Sequence, residues 1–247
     1  MGDPTLPKQF LPLQGIPILG HTLTRFDHID AIDQIILVTR QQDTARCRQL
    51  LTTCRIRKAT TLVPGGQVRQ ESVFHGLQHL PPDADIVLIH DAVRIFITSD
   101  LMTALIQATR TYGASIAAVP VQDTIKHVEP RPLASPGHPH EPPDPQLFVK
   151  TTLDRTVLWH VQTPQAFRAS LIRTVHHQAR ASGLVATDDA MLAEHFGHPV
   201  AIVPSSYRNI KITTPTDLLI AQAFLRDEAH HAARHDTPSP DPQRRNT

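Results

Sequence analysis

The sequence predicts an α/β fold in which a mostly parallel sheet carries helices on both faces. Short apolar runs of strand length, such as residues 35–38 and 86–89, alternate along the chain with longer stretches of helical periodicity. The chain also has 247 residues, of which 40% are hydrophobic and 19% charged. That is enough to bury the core of one such domain with appendages.

The first half of the chain provides three strands, two helices and an excursion from the core. Residues 35–38 and 86–89 are uninterrupted apolar runs, which is typical of buried strands. Helical periodicity predicts helices over 70–80 and 101–112, followed by a strand over 115–121. Seven prolines then fall between residues 130 and 145. We therefore predict an arm over about residues 122–158, with a flexible Pro/His-rich segment at 130–145.

The second half returns to the sheet and ends in a helix. Residues 158–161 and 200–203 are predicted strands, and 169–181 a predicted helix. We expect Thr187 to cap a further helix that has two acids in its first turn and ends at Gly197. Pro215 is a natural start for a terminal helix reaching Glu228. Residues 229–247 have no apolar face, so we predict a domain over 1–228 and a disordered tail.

Charge and composition argue against several classes of function. The net charge is +1 without a basic stripe, which is unlike a nucleic-acid-binding protein. No run approaches the roughly 20 apolar residues of a membrane span, and no apolar signal stretch opens the chain. Cys47 and Cys54 form no C-x-x-C pair, which suggests reduced thiols on one helix face of a cytoplasmic protein. The sixteen histidines lack metal-ligand spacing, which favours solvated surface histidines over a metal site.

Several stretches carry residues suited to anion chemistry, although each also allows a plainer interpretation. Gly65 and Gly66 precede a helix, where they let the backbone approach a ligand or form an ordinary turn. Asp91 and Arg94 follow a buried strand at the edge where α/β sheets bind ligands, or they simply pair with each other. Lys211 alternates with two isoleucines, so its ammonium points into a cleft or into solvent.

Together, the order and spacing of the motifs are specific. The motifs are PKQFLPL from Pro7, GG-x-x-R-x-x-SV from Gly65, HDAVR from His90, PVQDTIK from Pro120, LDR from Leu153, QTPQAF from Gln162, TDD from Thr187 and NIKITTP from Asn209. This set resembles the 2-C-methyl-D-erythritol 4-phosphate cytidylyltransferase family of the non-mevalonate isoprenoid pathway. The resemblance implies a Rossmann-like nucleotidyltransferase fold whose protruding arm clasps the arm of a second subunit in a homodimer.

The same resemblance implies the reaction and its residues. A cytidylyl group passes from CTP to the polyol phosphate, pyrophosphate leaves, and Mg²⁺ is held mainly by the CTP phosphates rather than by protein ligands. The implied site residues are Lys8 and Lys211 as catalytic cations, Gly65, Gly66 and Ser72 at the nucleotide, and Asp91, Thr124, Arg155, Thr163 and Thr187 at the polyol phosphate, with Thr124 and Arg155 acting across the dimer.

Departures from the family leave alternatives open. The family opens with a strand and a glycine-rich loop of the type A-A-G-x-G-x-R-M-G, and Met1-Gly2-Asp3 aligns with the end of that loop. We therefore expect this chain to lack that strand and loop, either because its start lies at an internal methionine or because the protein is short. The alternative functions are ribitol-5-phosphate cytidylyltransferase, which shares several motifs, and a truncated non-catalytic homologue.

Overall fold

The computed structural model describes residues 6–131 and 146–235, in which strands alternate with helices. The strands are β1 (Pro12–Leu13), β2 (Ile16–Pro17), β3 (Ile35–Thr39), β4 (Ala59–Pro64), β5 (Ile86–Ile89), β6 (Ala114–Pro120), β7 (Lys126–Arg131), β8 (Gln146–Thr152), β9 (Trp159–Arg168) and β10 (Ala201–Pro204). The α-helices are α1 (Ile18–His28), α2 (Thr44–Thr53), α3 (Arg69–Leu77), α4 (Ser99–Tyr112), α5 (Ala169–Ser182), α6 (Asp189–His195) and α7 (Pro215–His235).

The main sheet is mixed. Its four strands lie in the order β10-β6-β9-β5. Strands β10 and β6 are parallel, whereas β9 is antiparallel to both β6 and β5. A parallel pair, β3 and β4, forms a separate sheet. The prediction of an α/β fold is confirmed, with the correction that the sheet is mixed rather than mostly parallel.

The antiparallel strand follows from the position of the arm. Strand β6 ends at Pro120 and β9 begins at Trp159, and these two residues face each other across the ladder. Because the chain leaves and re-enters the sheet at the same end, β6 and β9 must run in opposite directions, as in a hairpin. The predicted strand over 158–161 was too short, since QTPQAF continues β9 to Arg168.

Helices cover both faces of the main sheet, as predicted. Successive residues of a strand point to opposite faces. Ala166 of β9 packs with Leu105 of α4. Its neighbour Phe167 packs on the other side with Ile172 of α5 and Leu192 of α6. The core therefore has two layers, one on each face of β9.

The boundaries of α4 show how the sequence defines a helix here. The Thr98 hydroxyl accepts a hydrogen bond from the Leu101 N–H at 3.3 Å and caps the first turn. The buried positions Leu101, Leu105 and Thr109 lie four residues apart, on one face. Gly113, with φ +91°, follows the last turn at a backbone conformation that favours glycine.

Strands β3 and β5 are less buried than their apolar sequences predict. Every residue of β5 is only half-buried, and in β3 only Leu37 is buried. Each of these strands is hydrogen-bonded along one edge to a strand of the described part of the chain. Ile35 and Leu88 pack against one cluster that includes Phe26 of α1, so α1 bridges the two sheets.

Two helices end three or more residues away from their predicted ends. Helix α3 spans Arg69–Leu77 rather than 70–80, and α7 continues through His235, seven residues beyond Glu228. The first residues of the predicted tail are therefore helical. Residues 1–5, 132–145 and 236–247 lie outside the described ranges, so the predictions for the chain start, for most of the Pro/His-rich segment and for the rest of the tail stay predictions.

The arm is an antiparallel hairpin of β7 and β8. Its apolar side chains are unusually exposed, with Leu147 at 60% and Val149 at 57%. Contiguous exposed apolar surface of this kind marks an interaction site more often than a free surface. None of the helices in the described ranges is long and apolar enough to cross a membrane.

Candidate active site

Three of the predicted motifs meet over one hydrophobic cluster. Leu13 of the lysine segment, Val93 of HDAVR and Ile212 of NIKITTP are all buried in it. The Ile212 N–H donates to the Val93 carbonyl at 3.0 Å, which fixes the last two segments to each other. The polar residues of HDAVR and NIKITTP are thereby collected just beyond the carboxyl end of β5.

Lys211 points away from the hydrophobic core, as its alternation with isoleucines suggested. Ile212 is 2% exposed and Ile210 packs against the same cluster, whereas the Lys211 side chain is 43% exposed. The Lys211 Nζ lies 2.9 Å from Asp91 Oδ2. The ammonium is therefore held beside a carboxylate and still reaches solvent.

Asp91 lies among three cations. Besides Lys211, the Nε of Arg94 is 3.7 Å from Oδ2 and the Nε of Arg69 is 4.0 Å from Oδ1. Burial raises the pKa of the Asp91 carboxyl, but the Lys211 hydrogen bond and the three positive charges lower it by more, so the pKa lies below its usual value. Asp91 is thus an ionised acceptor at neutral pH, and its pairing with Arg94 does not prevent contact with a ligand.

Thr163 and His90 set the direction of Asp91. The Thr163 hydroxyl accepts the Asp91 N–H at 3.0 Å and lies 3.2 Å from His90 Nδ1. His90 Nε2 lies 2.8 Å from the Arg94 carbonyl, which can only accept, so Nε2 carries the proton and Nδ1 accepts from Thr163. Burial lowers the pKa of His90 to about 4, so the ring is neutral at pH 7. The Thr163 hydroxyl therefore donates its one hydrogen to His90 and accepts one hydrogen bond from Asp91.

The Gly65-Gly66 loop is shaped by the first turns of α3. The Gly66 N–H donates to Ser72 Oγ at 3.0 Å, and the Gln67 N–H donates to Glu71 Oε2 at 2.8 Å. A Cβ on Gly66 would lie 2.3 Å from the Glu71 Cβ, and one on Gly65 would lie 2.9 Å from Ser72 Oγ. The close approach to α3 therefore requires a glycine at position 66, whereas at position 65 an added Cβ meets the Ser72 side chain.

The TDD segment begins α6 in a different way from that predicted. The cap is Asp188, whose carboxylate accepts the Met191 N–H at 2.9 Å, and Thr187 is exposed one residue earlier. The Thr187 hydroxyl lies 3.7 Å from the Met191 sulfur. The prediction that Thr187 caps the helix is wrong, because the carboxylate of the next residue reaches the same turn.

Sequence reasoning assigned no role to the buried acid of this segment. Asp189 is 1% exposed and its Oδ2 lies 2.7 Å from Arg69 Nη1. Its Oδ1 lies 3.0 Å from Nε2 of His176, which is also fully buried. The available signal was the arginine of GG-x-x-R-x-x-SV, which is a cation without an assigned partner.

In the described part of this single chain, Lys8, Thr124 and Arg155 make no hydrogen bond or ion pair with the cluster of Asp91, Lys211, Arg94 and Arg69. Lys8 is exposed on a 3-10 turn (Lys8–Phe10) that is anchored by buried Phe10. Thr124 and Arg155 are exposed at the base of the arm, where Arg155 Nη1 donates to the Gln122 carbonyl at 2.6 Å. Within the described ranges, no ion pair joins Lys8 or Arg155 to a carboxylate.

Comparison with known proteins identifies the family. The sequence profile of 2-C-methyl-D-erythritol 4-phosphate cytidylyltransferase matches residues 3–227. The chain belongs to this family. The enzyme of that name from Geobacillus kaustophilus is 45% identical over 218 residues, which cover 88% of either chain. The family resemblance inferred from the motifs is therefore confirmed.

Solved structures of the same family share the fold. The 4-diphosphocytidyl-2C-methyl-D-erythritol synthase of Anaerococcus prevotii superposes with a TM-score of 0.76 at 32% identity, over 88% of this chain and 93% of that one. The Thermus thermophilus cytidylyltransferase gives a TM-score of 0.70 at 30% identity, over 89% and 94%. The nucleotidyltransferase fold is thus confirmed, mixed sheet included.

Proposed function

We propose that this chain transfers a cytidylyl group from CTP to 2-C-methyl-D-erythritol 4-phosphate, giving the CDP-linked polyol and pyrophosphate. The observation that carries the proposal is the Asp91–Lys211 pair, which lies beside the helix that follows the Gly65-Gly66 loop in a member of this family. Family membership favours this substrate over ribitol 5-phosphate, and it favours an enzyme over a non-catalytic homologue.

The chemistry needs positive charge and alignment more than acid–base groups. A phosphate monoester with a second pKa near 6 is mostly dianionic at pH 7, so no base has to activate it. One of its oxygens attacks the α-phosphorus, the bond from that phosphorus to the oxygen bridging to the β-phosphate breaks, and pyrophosphate leaves with the electron pair. Lys211 uses one ammonium hydrogen on Asp91 and keeps two for the phosphates, and Lys8 supplies a second charge.

Asp91 is suited to the hydroxyls of the polyol. An ionised carboxylate only accepts hydrogen bonds, which matches hydroxyl donors. The Thr163 hydroxyl, itself hydrogen-bonded to the neutral His90 ring, accepts the Asp91 N–H and so fixes the backbone of Asp91. In this proposal Thr163 therefore acts on the polyol through Asp91, and exposed Thr187 is free to contact substrate directly.

Mg²⁺ fits this site as a cation that binds with the triphosphate. The described ranges contain no group of three or more His, Cys, Asp or Glu that could hold a metal. Mg²⁺ commonly uses one or two carboxylates together with substrate phosphates and water. Bound to CTP, it would neutralise phosphate charge, while the residues of the chain position the two substrates.

A second copy of the chain is part of the proposed site. Thr124 and Arg155 lie at the base of an arm with exposed apolar side chains, and neither contacts Asp91 through a hydrogen bond or ion pair in the described part of the chain. Pairing of two arms would bury that surface and bring both residues to the phosphate held by the other subunit. The guanidinium of Arg155 has no carboxylate partner within the described ranges, so it is available for this phosphate.

We place the reaction in the cytoplasm. Cys47 and Cys54 are both free, although they pack against the same cluster. Reduced thiols and a CTP supply are both features of that compartment.

The proposal is tested by pyrophosphate release with CTP and Mg²⁺. The chain as printed is assayed beside a form extended to the next upstream in-frame start, each with methylerythritol phosphate or ribitol 5-phosphate. Turnover by either form with the first polyol is the expected result. Turnover only with ribitol 5-phosphate would assign the alternative substrate, and folded but inactive dimers of both forms would favour a non-catalytic homologue.

A further inference from the structure

A line of polar side chains runs from the protein interior to Asp91. His176 lies on the buried face of α5, and its Nε2 is 3.0 Å from Asp189 Oδ1. Asp189 Oδ2 is 2.7 Å from Nη1 of Arg69, whose Nε is 4.0 Å from Asp91 Oδ1. Arg69 therefore lies between a buried carboxylate and the carboxylate proposed to bind the polyol.

The Asp189 carboxylate is costly to keep in this place. It is 1% exposed, beside a core that contains Phe167, Ile172 and Leu192. Asp189 Oδ2 lies close enough to Arg69 to form an ion pair. The geometry of this contact is not that of a hydrogen bond, so Oδ2 is buried without a hydrogen-bond donor. Buried ion pairs are often no more stable than apolar side chains of similar volume. A role in holding the partner cation accounts for a charge at this position.

The same stretch is attached to the start of α3 by a second side chain. The amide of Gln70 donates to the Leu184 carbonyl at 3.0 Å and accepts the Ala186 N–H at 3.0 Å. From the sheet side, Gln165 Oε1 accepts the N–H groups of Asp189 and of the next residue, each at 3.2 Å. Residues 184–190 are thus fixed to β9 and fix in turn the first turn of α3, directly after the glycine loop.

We propose that Asp189 is a positioning residue for the nucleotide, an inference that rests on the proposed function. It holds Arg69, and with it the Gly65-Gly66 loop, at a set distance from Asp91. His176 fixes the direction of the Asp189 carboxylate. When the charge of Asp189 is removed, Arg69 and the loop that it holds lose their fixed position relative to Asp91.

The first test needs no ligand. Hydrogen–deuterium exchange of residues 64–72 is compared between Asp189→Asn and Asp27→Asn. Each variant is measured at the same number of degrees below its own Tm. Asp27 is a matched control because it is 4% exposed, faces Arg57 at 3.6 Å, and binds the backbone near the start of β4, at the end of that strand opposite to the glycine loop. Faster exchange in Asp189→Asn alone is expected. Equal exchange in the two variants would overturn the proposal.

The second test separates positioning from general destabilisation. We expect Asp189→Asn and Arg69→Ala each to raise the KM for CTP by about tenfold, with the KM for the polyol phosphate changed less than twofold. In the double variant the KM for CTP should also be raised by about tenfold, because both substitutions remove the same interaction between Asp189 and Arg69. A roughly hundredfold, multiplicative loss would show that Asp189 acts independently of Arg69. If the unaltered chain does not turn over, the proposed function fails, while the exchange experiment still decides this inference.

Discussion

Gly66→Ala tests whether the shape of the glycine loop controls nucleotide binding. The added methyl would lie 2.3 Å from the Glu71 Cβ and 3.3 Å from the Glu71 carbonyl carbon. Ordinary carbon contacts are about 3.5–4.0 Å. Because both atoms are fixed to the α3 backbone, a rotamer change of Glu71 cannot relieve the overlap. The loop must move away from the helix by more than about 1 Å.

The displacement should affect activity more than stability. It breaks the hydrogen bonds from the Gly66 and Gln67 N–H groups to Ser72 and Glu71, each worth about 1 kcal/mol. A misplacement of about 1 Å in a positioning element costs roughly 100-fold in rate, or about 2.7 kcal/mol of transition-state stabilisation. We expect kcat/KM for CTP to fall by that factor and unfolding free energy to fall by about 2 kcal/mol.

The assay measures kcat/KM for CTP together with thermal unfolding. Gly183→Ala is the control, because Gly183 has φ +68° and nothing within 4 Å of an added Cβ. It should lose about 1 kcal/mol of stability without losing activity. Gly65→Ala should be partly rescued by Ser72→Ala, since Ser72 Oγ is the atom it meets at 2.9 Å. A Gly66→Ala variant whose kcat/KM for CTP is within threefold of that of the unaltered chain would refute the reasoning.

Three further outcomes are expected. Lys211→Met should lower kcat by about 100- to 1000-fold with a smaller change in the KM for CTP, and an unchanged kcat would remove Lys211 from the mechanism. Arg155→Ala should raise the KM for the polyol phosphate more than that for CTP, whereas an unchanged polyol KM would exclude Arg155 from phosphate binding. Asp217→Asn should cost about 1 kcal/mol near pH 7, because hydrogen bonds led by the Thr213 N–H lower the pKa of the partly exposed Asp217 to about 2. Because the pKa of Asp217 is lowered in the folded state, its carboxylate stabilises the fold above pH 3.8, and this stabilisation is lost as the pH falls towards 2. The free energies of unfolding of the two forms, measured with denaturant, should therefore converge in acid. A difference that stays constant with pH would contradict the assignment.

Local sequence patterns were sufficient to predict those strands and helices whose structure depends mainly on their own residues. Uninterrupted apolar runs predicted β3 and β5, and the helix that ends at Tyr112 was predicted to within two residues. The direction of β9 could not be read in this way, because an apolar strand has the same pattern in either orientation. Its orientation depends on where the arm leaves and re-enters the sheet, which is a property of two distant segments.

No bounds were predicted for α1 or α2, and the apolar face of α2 is narrow. In α2 only Cys47 and Leu50 are buried, and the helix is held mainly by packing with Phe10 and Leu37 from other elements. Tertiary contacts of this kind outweigh weak local propensity. The two cysteines meet the same cluster, but Cys54 lies one residue beyond the end of α2, so only Cys47 is on the helix.

The site shows the same division between local and distant information. The orientation of Lys211 followed from alternation with isoleucines, since burial of Ile212 fixes the opposite direction for its neighbour. The ion pair of Arg69 with Asp189 joins residues 120 positions apart, and the local sequence around either residue does not predict the other as its partner. Thr163 was expected at the substrate, but its hydroxyl is used by Asp91 and His90, a fact that depends on where β9 places it.

The charges at the site explain how a nearly neutral chain can bind a triphosphate. Lys211, Arg69 and Arg94 face Asp91 and Asp189, so three positive groups meet two negative ones and leave one positive charge in a partly buried place. His90 adds no charge at neutral pH, because its pKa is lowered to about 4. A single surplus charge near a low-dielectric wall attracts a phosphate far more strongly than the same charge on open surface. Asp91 thus holds Lys211 in place before the substrate arrives, and the local excess of positive charge, rather than the net charge of the chain, supplies the attraction.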